Sequence, residues 1–247
     1  MTPLRAASLA TVLTSAALLG GAWVDAGDIR TLVAGTITVA VTSAAPTSPY
    51  DSQVWIRRYV ERFAGEHHLA IAWVVVPFDQ SWLRASRDEV DLVATNVASF
   101  PDRAHAGATF SAPFLFERRA LRIHPKDRGH YARMNDFVGR TVGVVQGMAA
   151  ERDVRRRAPE GVTITVAGTF DELYEQFDAG RLDAIAEAEY YAVDGQVIPS
   201  HGPEVVLIDL HDLNPGQREE SVFVVRDNST NLLTALNAFM AKTPLRP

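Results

Sequence analysis

The chain has 247 residues, 47% of them apolar and 22% charged, enough to bury a full core in one or two domains. A formal net charge of -6 supplies no basic footprint, which argues against nucleic acid as a partner. With no cysteine, disulfides, zinc–thiolate sites, cysteine nucleophiles and a lipidated N-terminal Cys are excluded together, and Lys126 and Lys242 as the only lysines leave almost no candidate for Schiff-base chemistry.

Arg5 is followed by an apolar run from Ala6 to about Val24 and then by Val24-Asp25-Ala26, a small-residue site of the A-x-A kind. This reads as a secretory signal over residues 1–26, cut after Ala26 or Ala22, which sends the mature protein to the periplasm or outside the cell. The alternative is an uncleaved anchor, because the run approaches the roughly 20 residues that span a bilayer. No later segment is apolar enough to cross one.

Thr31–Val41 reads as a strand and Ala44–Tyr50 as a turn-rich loop at its end. Ile56, Tyr59, Val60 and Phe63 then make the stripe of an amphipathic helix. Ile71–Val76 is expected as a buried strand, with Trp82, Leu83 and Ser86 facing inward on the next helix. Asp91–Val97 is a third strand running into Ser99–Arg103, and Phe110–Phe114 a second loop. Strand, helix, strand, helix, strand in that order predicts a parallel, doubly wound lobe.

A second unit starts near Leu121. Arg140–Val145 is its first strand, Gly147–Ala150 a turn, Glu151–Arg157 a helix, and Val162–Val166 a strand. Phe170, Leu173 and Phe177 form the inner face of another helix, and Ala184–Ala186 ends a strand. The two units repeat one another: GTITVAV at Gly35 matches GRTVGVV at Gly139, and VDLVA at Val90 matches LDAIA at Leu182. Val205–Ile208 and Val222–Val225 are further strands. Leu232, Leu236, Phe239 and Met240 mark a last helix, capped by Asn228 or Ser229. The expected organisation is lobe I over 27–118, lobe II over 119–213, and a return to lobe I over 214–247, with hinge segments near Arg118–Ile123 and Leu207–Asn214. Two such lobes create a cleft, where small ligands bind.

The series GTITVAV, VDLVATN, PDR, FSAPF, DFVGRTVGVVQG and GRLDAIAEAE resembles the bacterial family 3 solute-binding proteins, whose pattern is G-x-L-x-V-G, a strand opened by Asp, TPER, FSDPY, DLxGKxVGVxxG and GxxDA. The closing segment, PEVVLIDL followed by RDNSTNLLTALNAFM, is also similar to the sensor module of the lytic transglycosylase F group. The resemblance covers the whole mature chain. It implies an α/β two-lobe periplasmic binding protein fold (type II), each lobe a doubly wound sheet with helices on both faces. It further implies capture of a small carboxylate-bearing ligand by hinge closure, with an inner-membrane ABC permease or a receptor as partner, a monomeric state, and no cofactor or metal.

Arg103, twelve residues after Asp91, falls at the family's arginine, which clamps a carboxylate bidentately; the alternative is a surface Arg paired with Asp102 or capping the next helix. Gly147, Met148 and Ala149 open a helix whose free amides suit an anion, or form a plain strand-to-helix turn. Met148 takes the place of the family's hydroxyl residue. Ala188 occupies the position of the family's ammonium-binding Asp, so Glu187 or Glu189 must turn inward if an acid is to serve there. Asn96, Ala98 and Phe100 replace the usual first-lobe Gly and Thr, and Tyr50 and Phe100 are candidates to sandwich an apolar ligand part. The seven histidines show no metal spacing and are expected to be exposed. No hydrolase, metalloprotease or phosphate-loop motif is present. The enzymatic alternative is a prephenate or arogenate dehydratase on the same fold, with Glu187 or Glu189 as general acid.

Overall fold

A computed structural model describes residues 29–43 and 52–246; the expected signal, the Ala44–Tyr50 loop and Tyr50 itself lie outside them. The elements follow as β1 (Thr36–Val41), α1 (Ser52–Glu66), β2 (Ala70–Val75), α2 (Leu83–Ser86), β3 (Leu92–Ala98), β4 (Ala108–Phe110) and β5 (Leu115–Ile123). Then come β6 (Thr141–Val145), α3 (Ala149–Arg157), β7 (Thr163–Ala167), α4 (Phe170–Asp178), β8 (Ala184–Tyr191), β9 (Val197–Ile198), β10 (Val206–His211), β11 (Glu219–Arg226) and α5 (Leu232–Lys242).

One curled mixed sheet runs through the molecule in the order β2-β1-β3-β11-β5-β8-β6-β7. At one end β2, β1 and β3 are parallel, and at the other β7, β6 and β8 repeat the same arrangement. Each end is the doubly wound unit that the alternation of strand and helix predicts. Helices cover both faces of each. In the first, α1 and α5 bury Ile56, Phe63 and Leu236 over Ile37 and Val39, while Trp82 and Ala85 cover Val93 on the reverse. In the second, Val154 of α3 packs over Val142 and Val144, and Leu173 and Phe177 of α4 pack over Ile185 on the other side.

The middle of the sheet joins the two units. β5 pairs antiparallel with β11 at Leu115–Glu117 and with β8 and β10 further along, so one strand belongs to both halves. The closing strand β11 in turn crosses back to β3, aligning Ser221 with Ala98.

Three expectations are corrected. β2 is not buried, since it is an edge strand with a neighbour on one side only: Val75 is 53% exposed, and only the α1 face of the strand, at Ile71 and Trp73, is covered. Neither Asn228 nor Ser229 caps α5. Asn231, at φ 63°, precedes that helix, while the Ser229 hydroxyl donates to Asp91 Oδ1 at 2.6 Å. The histidines are not all exposed: His67 packs at a tilt against Phe63 and His124 stacks on Phe177, because each ring covers the end of a core.

Candidate functional site

The parallel strands of both units point their C-terminal ends at one another, and the cleft lies between those ends. A cavity of roughly 240 Å³ occupies part of it, lined by Thr42, Ser43 and Gln53 from the first unit, Val75–Phe78 after β2, Val145 at the end of β6 and Gly168–Asp171 at the start of α4.

Beside this cavity stands Arg103, at the end of a 3-10 turn, Pro101–Arg103, that Pro101 initiates directly after β3. Its side chain is the largest fully buried one among the described residues, with 1% of the residue exposed. Three rings wall the guanidinium: Trp82 at 4.6 Å, Phe100 at 4.9 Å and Phe78, which also lines the cavity, at 5.5 Å. Nη2 donates to the Gly147 carbonyl at 2.7 Å, across the cleft. Nε and Nη1 have no hydrogen-bond partner among the described residues. Burial, with Arg152 adding to it, lowers the Arg103 pKa to about 10. The alternative of a surface pair with Asp102 does not hold, because Asp102 is taken by Arg152 in a bidentate pair at 2.6 and 3.0 Å.

The residues facing Arg103 come from the β6–α3 turn. Gly147 adopts φ 77°, and a Cβ there would meet Asp79 Oδ1 at 2.7 Å, so the close approach of the two units needs a glycine. Its carbonyl receives Arg103, while its N–H is bonded to Glu151 Oε2 at 2.7 Å and is not free for an anion. Met148 is half-buried and packs against both the Phe78–Trp82 core and the Val145–Leu173 core, which makes it an apolar bridge between the units. Ala149 is buried at the start of α3. Gln146 reaches Asp79 at 3.2 Å.

On the first unit, Phe100 is sandwiched between Arg103 and Arg152, each 4.9 Å from its ring. Ala98 is buried opposite Ser221. Asn96, at φ 62°, donates from Nδ2 to Glu117 Oε1 at 2.8 Å. Neither candidate glutamate joins these residues. Glu187 accepts from Tyr174 of α4 at 2.8 Å and lies 3.8 Å from Arg122; Glu189 accepts from Tyr191.

What occupies the space near Ala188 instead is a buried charge cluster that the sequence reading passes over. Arg119 lies directly across from Ala188, and it pairs with Glu117 and, at 3.4 Å, with Glu219. These residues stand on β5 and β11, the strands that join the units. Their signal in the sequence is charge set inside apolar strands, as in Leu115-Phe116-Glu117-Arg118-Arg119-Ala120. Among the described residues, no group of His, Asp and Glu is placed to hold a metal ion.

A mixed sheet with two doubly wound ends, joined by strands that cross between them, is the two-lobe periplasmic binding protein fold. Solved structures agree on that point. The chain superposes on the amino acid ABC transporter substrate-binding protein AbpA from Streptococcus pneumoniae, bound to L-arginine, with TM-score 0.67 and 18% identity over 84% of this chain and 88% of that one. The arginine-bound, truncated arginine-binding protein of T. maritima gives TM-score 0.64 at 17% identity, over 84% and 96%. An ancestral amino acid-binding protein described as a precursor of cyclohexadienyl dehydratase gives TM-score 0.67 at 18%, over 85% and 91%. No family model and no curated protein matches the sequence.

Proposed function

We propose that the protein is an extracytoplasmic solute-binding protein that captures a small carboxylate-bearing compound, an amino acid or a relative of one, between its two lobes and presents it to an ABC-type permease or a receptor. The observation that carries this reading is Arg103: a guanidinium 1% exposed, ringed by Phe78, Trp82 and Phe100, with two N–H-bearing nitrogens unbonded among the described residues. A buried donor without an acceptor is costly, and a carboxylate relieves that cost with charge-assisted bonds in fork geometry. Gly147, Met148 and Ala149 form the opposing wall and Asn96, Ala98 and Phe100 the near one; Tyr50, outside the described residues, is kept as a ligand contact on its place in the sequence alone. Lobe I spans 27–118, lobe II 119–213, and 214–247 returns to lobe I; β5, shared by both halves, supports a hinge at that boundary. Residues 1–26 are the export signal. Among the described residues no helix is long and apolar enough to cross a membrane.

Calorimetry of the wild type and Arg103→Ala against amino acids, short peptides and organic acids tests the reading. The substitution should weaken binding of whichever compounds bind by about 2–4 kcal/mol, with folding retained. Undiminished affinity in the variant would remove Arg103 from the site.

A second reading, dehydration of prephenate or arogenate, is favoured by one observation: burial pushes the Glu219 carboxyl up to about 7, a value suited to a general acid. Loss of prephenate followed spectroscopically in the presence of the protein separates an enzyme from a binding protein.

A further inference from the structure

The inference rests on Arg103 as the carboxylate anchor and concerns the other end of the solute. Along β8, Ala184 and Ala186 pack against the Phe137–Val142 core, whereas Ile185 packs against Leu173 and Phe177. That alternation carries Ala188 to the first face and puts Glu187 and Glu189 on the second, away from it. Cross-strand neighbours share a face, so Arg119, opposite Ala188, and Glu117, opposite Tyr190, stand on the Ala188 side. Glu219 is aligned with Glu117 from β11 and joins them there.

Glu117, Arg119 and Glu219 are all buried, and when ionised they leave one negative charge uncompensated. Glu117 is fully engaged: it accepts from Arg119, from Ser221 Oγ at 2.6 Å and from Asn96 Nδ2 at 2.8 Å. Glu219 is not. Arg119 comes no nearer to it than 3.4 Å, and its Oε2 accepts no hydrogen bond among the described residues; neither does Asn96 Oδ1. Glu219 lines a second cavity, of roughly 350 Å³, together with Phe100 and Pro101, and the Arg103 guanidinium lies 4.9 Å from that Phe100 ring. The site thus holds unbonded donors on Arg103, unbonded acceptors on Glu219 and Asn96, and one unmatched negative charge. Those are the complements of a zwitterion.

We propose that Glu219, assisted by the Asn96 amide oxygen, receives the ammonium of a solute whose carboxylate is held by Arg103, so that the preferred ligands are amino acids rather than simple organic acids. The vacancy at Ala188 is then filled from β11, and neither Glu187 nor Glu189 takes part.

The charged groups that act on Glu219 are Arg119 and Glu117 from β5, Arg103 from the 3-10 turn, and Asp153 and Arg152 from α3. Burial raises its pKa most, Arg119 and Arg103 lower it, and Glu117 and Asp153 add to the rise, to about 7. An ammonium binds the ionised carboxylate, so below pH 7 binding must first expel a proton, and affinity falls with pH.

Calorimetry on the full chain at pH 8 and pH 6 is the test, with L-alanine against propionate, L-phenylalanine against 3-phenylpropionate, and the remaining L-amino acids against their deaminated acids. The wild type should prefer the amino acid at least tenfold in the pairs it binds, with that affinity falling about tenfold from pH 8 to pH 6. In Glu219→Gln both the preference and the pH dependence should vanish, while the deaminated acid keeps its affinity. Persistence of both in His201→Gln excludes the imidazole of His201, whose Nε2 lies 2.9 Å from the Ala188 carbonyl, as their source. Retention of the preference in Glu219→Gln, or its loss in Glu187→Gln instead, overturns the proposal. Equal affinity within every pair in the wild type, with Arg103→Ala abolishing both, overturns Glu219 and leaves the Arg103 reading standing; no binding of any pair sinks both. Should Glu219→Gln fold poorly, the wild-type profile decides alone, because an amino acid affinity flat between pH 6 and pH 8 contradicts the assignment.

Discussion

The two halves of the molecule carry the same motif and fasten it differently. In each, an Asp just before the third strand of the unit bonds back to the first strand: Asp91 to the Thr38 amide at 3.0 Å, and Asp183 to the Thr141 amide at 2.8 Å. Asp91 is wholly buried and also accepts from the Leu32 amide, the Thr38 hydroxyl and Ser229, with Arg226 at 3.5 Å. Asp183 remains about a third exposed and has, among the described residues, only Arg140, at 3.6 Å, as a further side-chain partner. The difference lies in the returning chain. Arg226, which ends β11, and Ser229 just beyond it carry the returning chain into the first half and make Asp91 a knot of distant segments, whereas among the described residues the second half receives no such strap. Its corresponding tie is Asp153 on α3, which gathers Arg157 and Arg156 of the same helix and His211 at the end of β10.

The sharpest way to break this comparison is Asp91→Ala against Asp183→Ala. Removing Asp91 takes the acceptor from the Leu32 and Thr38 amides and from the buried Ser229 hydroxyl, and leaves Arg226 with Asp88 as its remaining ionic partner, so it should cost about 3–5 kcal/mol in urea unfolding. Similar losses in the two variants would show that the returning chain adds nothing.

Acid should reach the second half through Asp153. Burial raises its pKa, but hydrogen bonds from His211 and Arg157 outweigh that and hold it at about 2. A carboxyl depressed on folding stabilises above its unfolded value near 4, and that contribution, about 2 kcal/mol, is lost as the pH falls from about 4 to 2. The acid limb of a stability–pH curve should therefore flatten in Asp153→Asn, and an unaltered limb would contradict the network.

Asp183→Ala should cost less, about 1 kcal/mol, since water can replace what the amide loses. The smallest effect belongs to the ion pair that crosses the cleft. Arg152 and Asp102 are both substantially exposed, so Arg152→Ala should change stability by about 0.2–1 kcal/mol, and by less in high salt. A larger, salt-independent loss would mean the pair is shielded from water.

Much of this architecture is legible in the sequence because it is local. The paired motifs at Gly35 and Gly139 mark the two units, and the stripes at Ile56–Phe63 and Phe170–Phe177 mark helices where helices stand. Arg103 is locatable by its distance from Asp91. β2 misleads, since β-branched composition signals a strand without saying whether it has neighbours on both sides. The Glu117–Arg119–Glu219 cluster is hidden for a different reason: Glu219 lies 100 residues beyond Arg119, and the pairing of β5 with β11 brings it to the other two. Glu187 and Glu189 attract attention through proximity to Ala188 in sequence, yet strand alternation turns them to the opposite face.

The insertion of β11 between β3 and β5 also sets when the first half can become complete. Its sheet lacks a central strand, and Asp91 lacks Arg226 and Ser229, until residues 219–229 have left the ribosome. Pairings of such sequence separation make for slow folding. During synthesis the first half should linger as an open, unlocked intermediate that exposes the strand edges of β3 and β5, a template for wrong partners and a natural target for chaperones.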